Sequence, residues 1–100
     1  MSANIRTLLT IISESSLENR LVRDVQKLGA RGYTITECRG KGARGARDAE
    51  WDYDSNIRME VICSRETALA IEKWLQEKYY DDFAIVVYSD DVNVLRPDKF

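Results

Sequence analysis

The order in which two kinds of apolar periodicity follow each other constrains the fold of this chain more than any other feature. Residues 5–12 (IRTLLTII) are apolar and β-branched with weak alternation, a pattern typical of a central strand covered on more than one side. Apolar residues then recur at helical spacing as far as Gly29 and Gly32, either of which can end a helix in the left-handed conformation. The remaining pattern predicts a strand over 33–39, a strand over 57–63, a helix after Ser64 and a buried strand over 83–88.

Both predicted helices have candidate N-terminal caps. Ser15 and Glu18 form an S-x-x-E capping box, which can satisfy two backbone N–H groups at the start of a helix. Ser64 can cap the second helix with its side-chain oxygen. The inner stripe of that helix comprises Ala68, Ile71, Leu75 and Tyr79. The resulting βαββαβ order, with one layer of helices on one antiparallel sheet, predicts an α+β ferredoxin-like sandwich and a single domain over residues 1–100.

The composition excludes several classes of function. With 15 Lys and Arg against 17 Asp and Glu, the net charge is -2, which gives no global attraction to a nucleic-acid backbone. The chain contains no histidine, so we expect neither a Cys/His zinc site nor a His-based catalytic triad, and no enzymatic activity. It also lacks a secretory signal pattern and an apolar stretch that could span a bilayer. We therefore expect a cytoplasmic protein without direct membrane insertion.

The two cysteines, Cys38 and Cys63, are not expected to form a disulfide. If the second and third strands pair near Gly40 and Asn56, Cys38 lies opposite roughly Arg58 and far from Cys63 along the ladder. Free thiols agree with a reducing compartment.

The connection between those strands, residues 40–55, is much longer than the roughly 4 to 6 residues typical of compact domains. Its first half interleaves glycines with basic residues: Gly40, Lys41, Gly42, Arg44, Gly45 and Arg47. Glycines let backbone N–H groups turn toward an anion, and Arg or Lys can then contact a phosphate. The spacing matches neither the Walker motif nor G-x-G-x-x-G, and a flexible, solvated hairpin tip is the alternative interpretation.

The second half of the same connection is acidic and aromatic. Trp51 and Tyr53 alternate there with the carboxylates of Asp48, Glu50, Asp52 and Asp54. The carboxylates could simply balance the charge of the basic half. Alternatively, the two aromatic side chains are anchors for a partner protein.

Three segments resemble the PII-like signalling proteins: GARGYTITECRGKGARGAR at 29–47, NIRMEVIC at 56–63 and KYYDDFAIVVY at 78–88. The resemblance spans nearly the whole chain and is greatest to the PII-like partners of bicarbonate transporters and to the carboxysome-associated PII proteins. It implies a homotrimer of ferredoxin-like subunits, with an adenine nucleotide bound in the clefts between subunits. It also implies that residues 41–55 form the T-loop, the segment through which such proteins contact a partner.

The same resemblance implies a set of nucleotide-binding residues. The glycine-rich base of the T-loop falls on Gly40, Lys41, Gly42 and Ala43, and the phosphate-binding arginines fall on Arg44 and Arg47. The stretch of the second strand near the adenine is matched by Tyr33 and Thr34. The B-loop, which closes the cleft from the neighbouring subunit, corresponds to residues 80–85, and its expected nucleotide contacts are Phe83, Ala84 and Ile85. A further candidate for a phosphate contact is Arg96, in the short tail at about 95–100.

The resemblance therefore implies a sensor that binds adenine nucleotide and signals to a membrane transporter or a carboxysome-related protein in inorganic-carbon uptake. Conventional PII proteins carry a glutamine after the T-loop base and a G-D-G-K B-loop, and this chain has neither. ADP or AMP is thus expected rather than ATP with 2-oxoglutarate, and no cofactor is expected to be obligatory. Bicarbonate is a candidate second ligand, held by Lys41, Arg44 and Arg47.

Two other functions stay open at this point. One is a conventional ATP-binding PII-type regulator of another transporter. The other is a nucleic-acid-binding ferredoxin-like domain, although the RNA-binding version stacks bases on aromatic residues of its third strand, where NIRMEVIC has none.

Overall fold

The structure is a computed structural model that describes residues 4–40 and 55–100. Its elements are strand β1 (Ile5–Glu14), a 3-10 turn (Ser15–Leu17), helix α1 (Glu18–Lys27), strand β2 (Thr34–Cys38), strand β3 (Asn56–Cys63), helix α2 (Arg65–Lys78), strand β4 (Val86–Asn93) and a second 3-10 turn (Pro97–Lys99). The predicted βαββαβ order and ferredoxin-like fold are confirmed. Neither described helix is long and apolar enough to cross a membrane.

The strands form one four-stranded antiparallel sheet in the order β2-β3-β1-β4. Strand β1 is central, as its apolar sequence predicts, and pairs with β3 on one side and β4 on the other. Ile11 lies opposite Met59 of β3 and Val87 of β4. Since directly opposed residues of neighbouring strands point to the same side of a sheet, these three side chains share the face on which the helices pack.

The hydrophobic core lies between that face and the two helices. Its fully buried members include Leu9, Ile11, Leu21, Val25, Met59, Val61, Ile71 and Tyr79. The opposite face of the sheet is open to solvent in the described chain, and the side chains of Val86 and Tyr88 on that face are 44% and 51% exposed. In α+β folds of this kind the helices cover only one face of the sheet, and apolar side chains on the other face remain exposed.

The predicted capping box at the start of the first helix is wrong. Residues Ser15–Leu17 form a 3-10 turn, α1 begins at Glu18, and no side chain caps either element. The reason is that β1 continues to Glu14, and the N–H of Ser15 donates to the carbonyl of Ser55 across the sheet at 2.7 Å. The cap at Ser64 is confirmed, because its hydroxyl accepts a hydrogen bond from the backbone N–H of Thr67 at 3.1 Å.

The prediction of a buried last strand over 83–88 is wrong in both bounds and burial. Strand β4 covers Val86–Asn93, and most of its residues are exposed. Its bounds are set by the backbone ladder with β1, in which Ile5 opposes Asn93 and Ile12 opposes Val86. An edge strand needs only one partner, so the polar sequence SDD at 89–91 is tolerated there.

The cysteines are free, as predicted, although the register differs by two residues. Cys38 lies opposite Asn56 rather than Arg58. Cys63 is seven residues further along β3, or about 23 Å at 3.3 Å per residue.

The first helix ends at Gly29, one of the two predicted positions. Gly29 has a φ of 119°, and a Cβ built on it would approach the hydroxyl oxygen of Thr67 to 3.2 Å. Gly32 has open space around it and no positive φ.

We expect Gly29→Ala to lower the free energy of unfolding by about 1–3 kcal/mol, because an L side chain is strained at this φ and meets Thr67. Urea titration measures this loss. Gly32→Ala is the matched control and should change stability by less than about 0.5 kcal/mol or increase it slightly. Equal losses in the two variants would contradict the assignment.

Candidate functional site

A cavity of about 230 Å³ lies where β3 leads into α2. The residues lining it come from the end of α1, the end of β3, the start of α2 and the C-terminal segment: Gly29, Arg31, Ile62, Cys63, Ser64, Thr67 and Phe100. The cavity depends on Gly29, because a side chain there would point at Thr67. The glycine that ends α1 therefore also gives the cavity its space.

The lining is mainly polar: it combines the Arg31 cation with two hydroxyls, while Ile62 and Phe100 supply its apolar part. The hydroxyl of Ser64 donates to that of Thr67 at 3.1 Å, and both lie at the N-terminus of α2. The guanidinium of Arg31 donates to the carbonyl of Asp98 at 3.0 Å. A mainly polar recess of this kind can offer hydrogen bonds and one positive charge to a polar or anionic group.

The C-terminal segment is bound back onto the sheet beside this cavity. The N–H of Val94 donates to the carbonyl of Asn4 at 2.9 Å, and the guanidinium of Arg6 donates to the carbonyl of Pro97 at 3.0 Å. Together with Arg31, these bonds place Phe100 in the cavity wall.

The thiol of Cys63 is a buried part of the same wall. Burial raises its pKa, and the carboxylate of Glu72 raises it further. The thiol is therefore neutral at physiological pH and a poor nucleophile. Across residues 4–40 and 55–100 no group of His, Cys, Asp or Glu side chains could hold a metal ion.

The predicted nucleotide-binding residues that the structure describes fall at opposite ends of the sheet. Thr34 lies opposite Glu60, so Tyr33 and Thr34 sit toward the Cys63 end, and Arg96 follows the end of β4 beside the same region. Gly40 follows the other end of β2, where Cys38 pairs with Asn56. The segment containing Phe83, Ala84 and Ile85 leads into the start of β4, at that same far end.

The structure does not bring these two groups together within one subunit. The cavity and the far end are separated along β3 by about 23 Å. The remaining predicted residues lie outside the described residues: Lys41, Gly42, Ala43, Arg44, Arg47, Trp51 and Tyr53.

Sequence reasoning missed most of the cavity. Gly29 and Ser64 were recognised only as helix ends, while Arg31, Thr67 and Phe100 were not singled out at all. The glycine after the helix was a local signal, but its position beside Thr67 in the cavity lining brings together residues far apart in the chain.

The chain matches the family described as nitrogen regulatory protein P-II over residues 6–99. A solved structure from Thermus thermophilus, described as a PII-like signalling protein, is 48% identical, with a TM-score of 0.82 over 96% of this chain and 95% of that one. CPII from Thiomonas intermedia, in a structure bound to ADP and bicarbonate, is 25% identical, with a TM-score of 0.82 over 96% of this chain and 94% of that one.

A more distant likeness is to GlnK of B. subtilis in complex with ATP, at 18% identity and a TM-score of 0.59 over 90% of this chain and 84% of that one. At this identity the likeness shows the fold alone.

We expect iodoacetamide to modify Cys63 at least about tenfold more slowly than Cys38 in the folded protein at pH 7.5, because Cys63 is buried and burial raises its pKa, whereas Cys38 is only half-buried. Peptide mass spectrometry over a time course measures both rates. In concentrated urea the two rates should converge. Equal rates in the folded protein would show that the Cys63 wall of the cavity is not closed as described.

Proposed function

This chain belongs to the nitrogen regulatory protein P-II family and is a PII-like signalling protein, and we propose that it signals by binding ADP or AMP between neighbouring subunits of a homotrimer. The role is regulatory rather than catalytic. The observation that carries this proposal is the separation of the candidate residues onto opposite ends of one sheet.

A binding site formed between two subunits would bring together candidate residues from opposite ends of the sheet. About 23 Å of strand β3 lies between Gly40 and the cavity, so one small ligand cannot contact both in one subunit. A second copy can place its cavity beside the far end of the first. The cavity's volume of about 230 Å³ is below the roughly 300–1,000 Å³ of a complete ligand pocket, which is consistent with its being one part of a shared site.

The open face of the sheet supports self-association. Its apolar side chains, from β1, β3 and β4, are Leu8, Ile12, Ile62, Val86, Tyr88 and Val92. A chain of 100 residues buries only about 60–68% of its surface alone, so covering this face would add to its small core. Three copies packed through these faces would give closed symmetry.

The choice of ligand rests on the relatives and on local charge. CPII, at 25% identity, is bound to ADP and bicarbonate in its solved structure. In this chain we assign the phosphates to Arg44 and Arg47, and bicarbonate to the same arginines with Lys41. Because the protein as a whole carries a net charge of -2, an anion needs such a local concentration of cations.

The signal passes through residues 41–55 in this proposal. In this proposal Arg44 and Arg47 contact the phosphates in only one conformation of the segment. Nucleotide binding would therefore increase the population of that conformation. Trp51 and Tyr53 are then the anchors for a partner, which we propose to be a membrane transporter or a carboxysome-related protein of inorganic-carbon uptake. The place of action in this proposal is the cytoplasm.

We expect Arg44→Ala and Arg47→Ala each to weaken ADP binding about ten- to a hundredfold, because each removes a charge-assisted hydrogen bond to a phosphate. Calorimetry against AMP, ADP and ATP, each with and without bicarbonate, measures this and identifies the preferred ligand. Arg23→Ala, at an exposed arginine of α1, is the control and should bind as the wild type does. Unchanged affinity in both loop variants would remove these arginines from the site, and a preference for ATP would favour the conventional PII function.

We expect sedimentation to show a trimer at micromolar concentration, and Tyr88→Glu to dissociate it, because the new charge would be buried between open sheet faces. Leu69→Glu is a matched control, since Leu69 and Tyr88 are each 51% exposed but Leu69 lies on α2. That variant should remain trimeric. A monomeric wild type, or dissociation of both variants alike, would contradict the proposed interface.

A further inference from the structure

A cluster of polar and aromatic side chains joins α1 to the segment over residues 80–85. At its centre, one carboxylate oxygen of Asp24 accepts two hydrogen bonds, from the hydroxyl of Tyr79 at 2.6 Å and from the indole N–H of Trp74 at 3.0 Å. Both donors come from α2 and its end, so Asp24 ties the two helices together.

Arg20 completes the enclosure of Tyr79. The Tyr79 side chain is fully buried, and the guanidinium carbon of Arg20 lies 4.3 Å from the centre of its ring. Arg20 precedes Asp24 by four residues, so both project from the same side of α1. The guanidinium also donates to the carbonyl of Lys78 at 3.4 Å, next to Tyr79 in the chain.

The segment over 80–85 is attached to Tyr79 through both backbone and side chain. The Tyr79 carbonyl accepts hydrogen bonds from the N–H groups of Asp82 at 3.1 Å and Phe83 at 2.9 Å. The rings of Tyr79 and Phe83 lie 6.0 Å apart, and the Arg20 guanidinium carbon lies 5.6 Å from the centre of the Phe83 ring. One cation therefore covers two rings, one in the helix end and one in the segment.

The Tyr79 hydroxyl is a constant donor under physiological conditions. Burial raises its pKa, and the hydrogen bond and charge of Asp24 raise it further, while Arg20 acts in the opposite direction. The phenol therefore stays protonated, and the bond to Asp24 persists across physiological pH.

We propose that Tyr79 is a positioning residue for nucleotide binding: held by Asp24 and Arg20, it fixes the conformation of residues 80–85 without itself contacting the ligand. The inference rests on the proposed function, in which this segment closes the nucleotide cleft. Phe83 is the link, because its ring packs on that of Tyr79 and it belongs to the segment that closes the cleft in the proposed function.

A pair of variants separates positioning from simple helix packing. Tyr79→Phe removes one hydrogen bond to the Asp24 oxygen and keeps the ring under Arg20, whereas Trp74→Phe removes the other bond to the same oxygen and leaves intact Tyr79, whose ring and carbonyl contact Phe83. Hydrogen exchange of the 80–85 peptide without nucleotide, and calorimetry with ADP, are measured for both. Arg20→Gln, which removes the cation above both rings, is a second test of the same attachment.

We expect Tyr79→Phe and Arg20→Gln to speed exchange in 80–85 and weaken ADP binding, each by about tenfold, with exchange in β1 unchanged. Trp74→Phe should leave both the segment and the affinity near wild type, even if it lowers the unfolding temperature. Equal effects of Trp74→Phe and Tyr79→Phe, or no change in any variant, would overturn the proposal. If the wild type binds no ADP, the proposed function fails, and the exchange data still decide whether Tyr79 holds the segment.

Discussion

The pairing of β1 with both β3 and β4 is the constraint on which the rest of the structure depends. Every pair of neighbouring strands is antiparallel, and successive loops along the chain therefore lie at alternate ends of the sheet. The strand pairing thus determines at which end each loop lies. Gly40 and the segment before β4 fall at one end, while the turn after α1, the start of α2 and the C-terminal segment fall at the other. A ligand that needs both ends needs two subunits.

The same sheet explains why the two candidate regions are built differently. At the cavity end, elements far apart in sequence surround the space: Gly29 leaves room beside Thr67, and Arg6 and Arg31 hold the segment that carries Phe100. At the far end, a polar cluster within the helix layer holds residues 80–85, with Asp24 as its acceptor. With both ends attached in this way, the proposed change on binding would be confined to residues 41–55.

Much of the fold follows from the sequence because it is encoded in periodicity. The apolar run at 5–12 predicted the central strand, and the stripe containing Ile71 and Leu75 predicted α2. Predictions that depended on the precise partner of a residue were less accurate. Ser15 was predicted to cap a helix, but its N–H donates a hydrogen bond to the carbonyl of Ser55 across the sheet. Strand β4 was predicted to end at residue 88, but it continues through polar residues because its backbone pairs with β1. The cavity could not be predicted for the same reason: its members touch only after the sheet has brought β3 and the end of α1 together.

The central claim, that each nucleotide site is shared between subunits, can be tested by mixing two defective variants. Arg47→Ala impairs one side of the proposed site, and Thr67→Trp fills the cavity on the other side. Each variant alone should bind ADP weakly. Trimers reassembled from an equal mixture should recover about a quarter of the wild-type number of tight sites. In random assembly, about half of the subunits carry an intact Arg47 and about half an intact cavity, so about a quarter of the interfaces combine the two. A mixture that binds ADP no better than either variant alone would contradict a shared site.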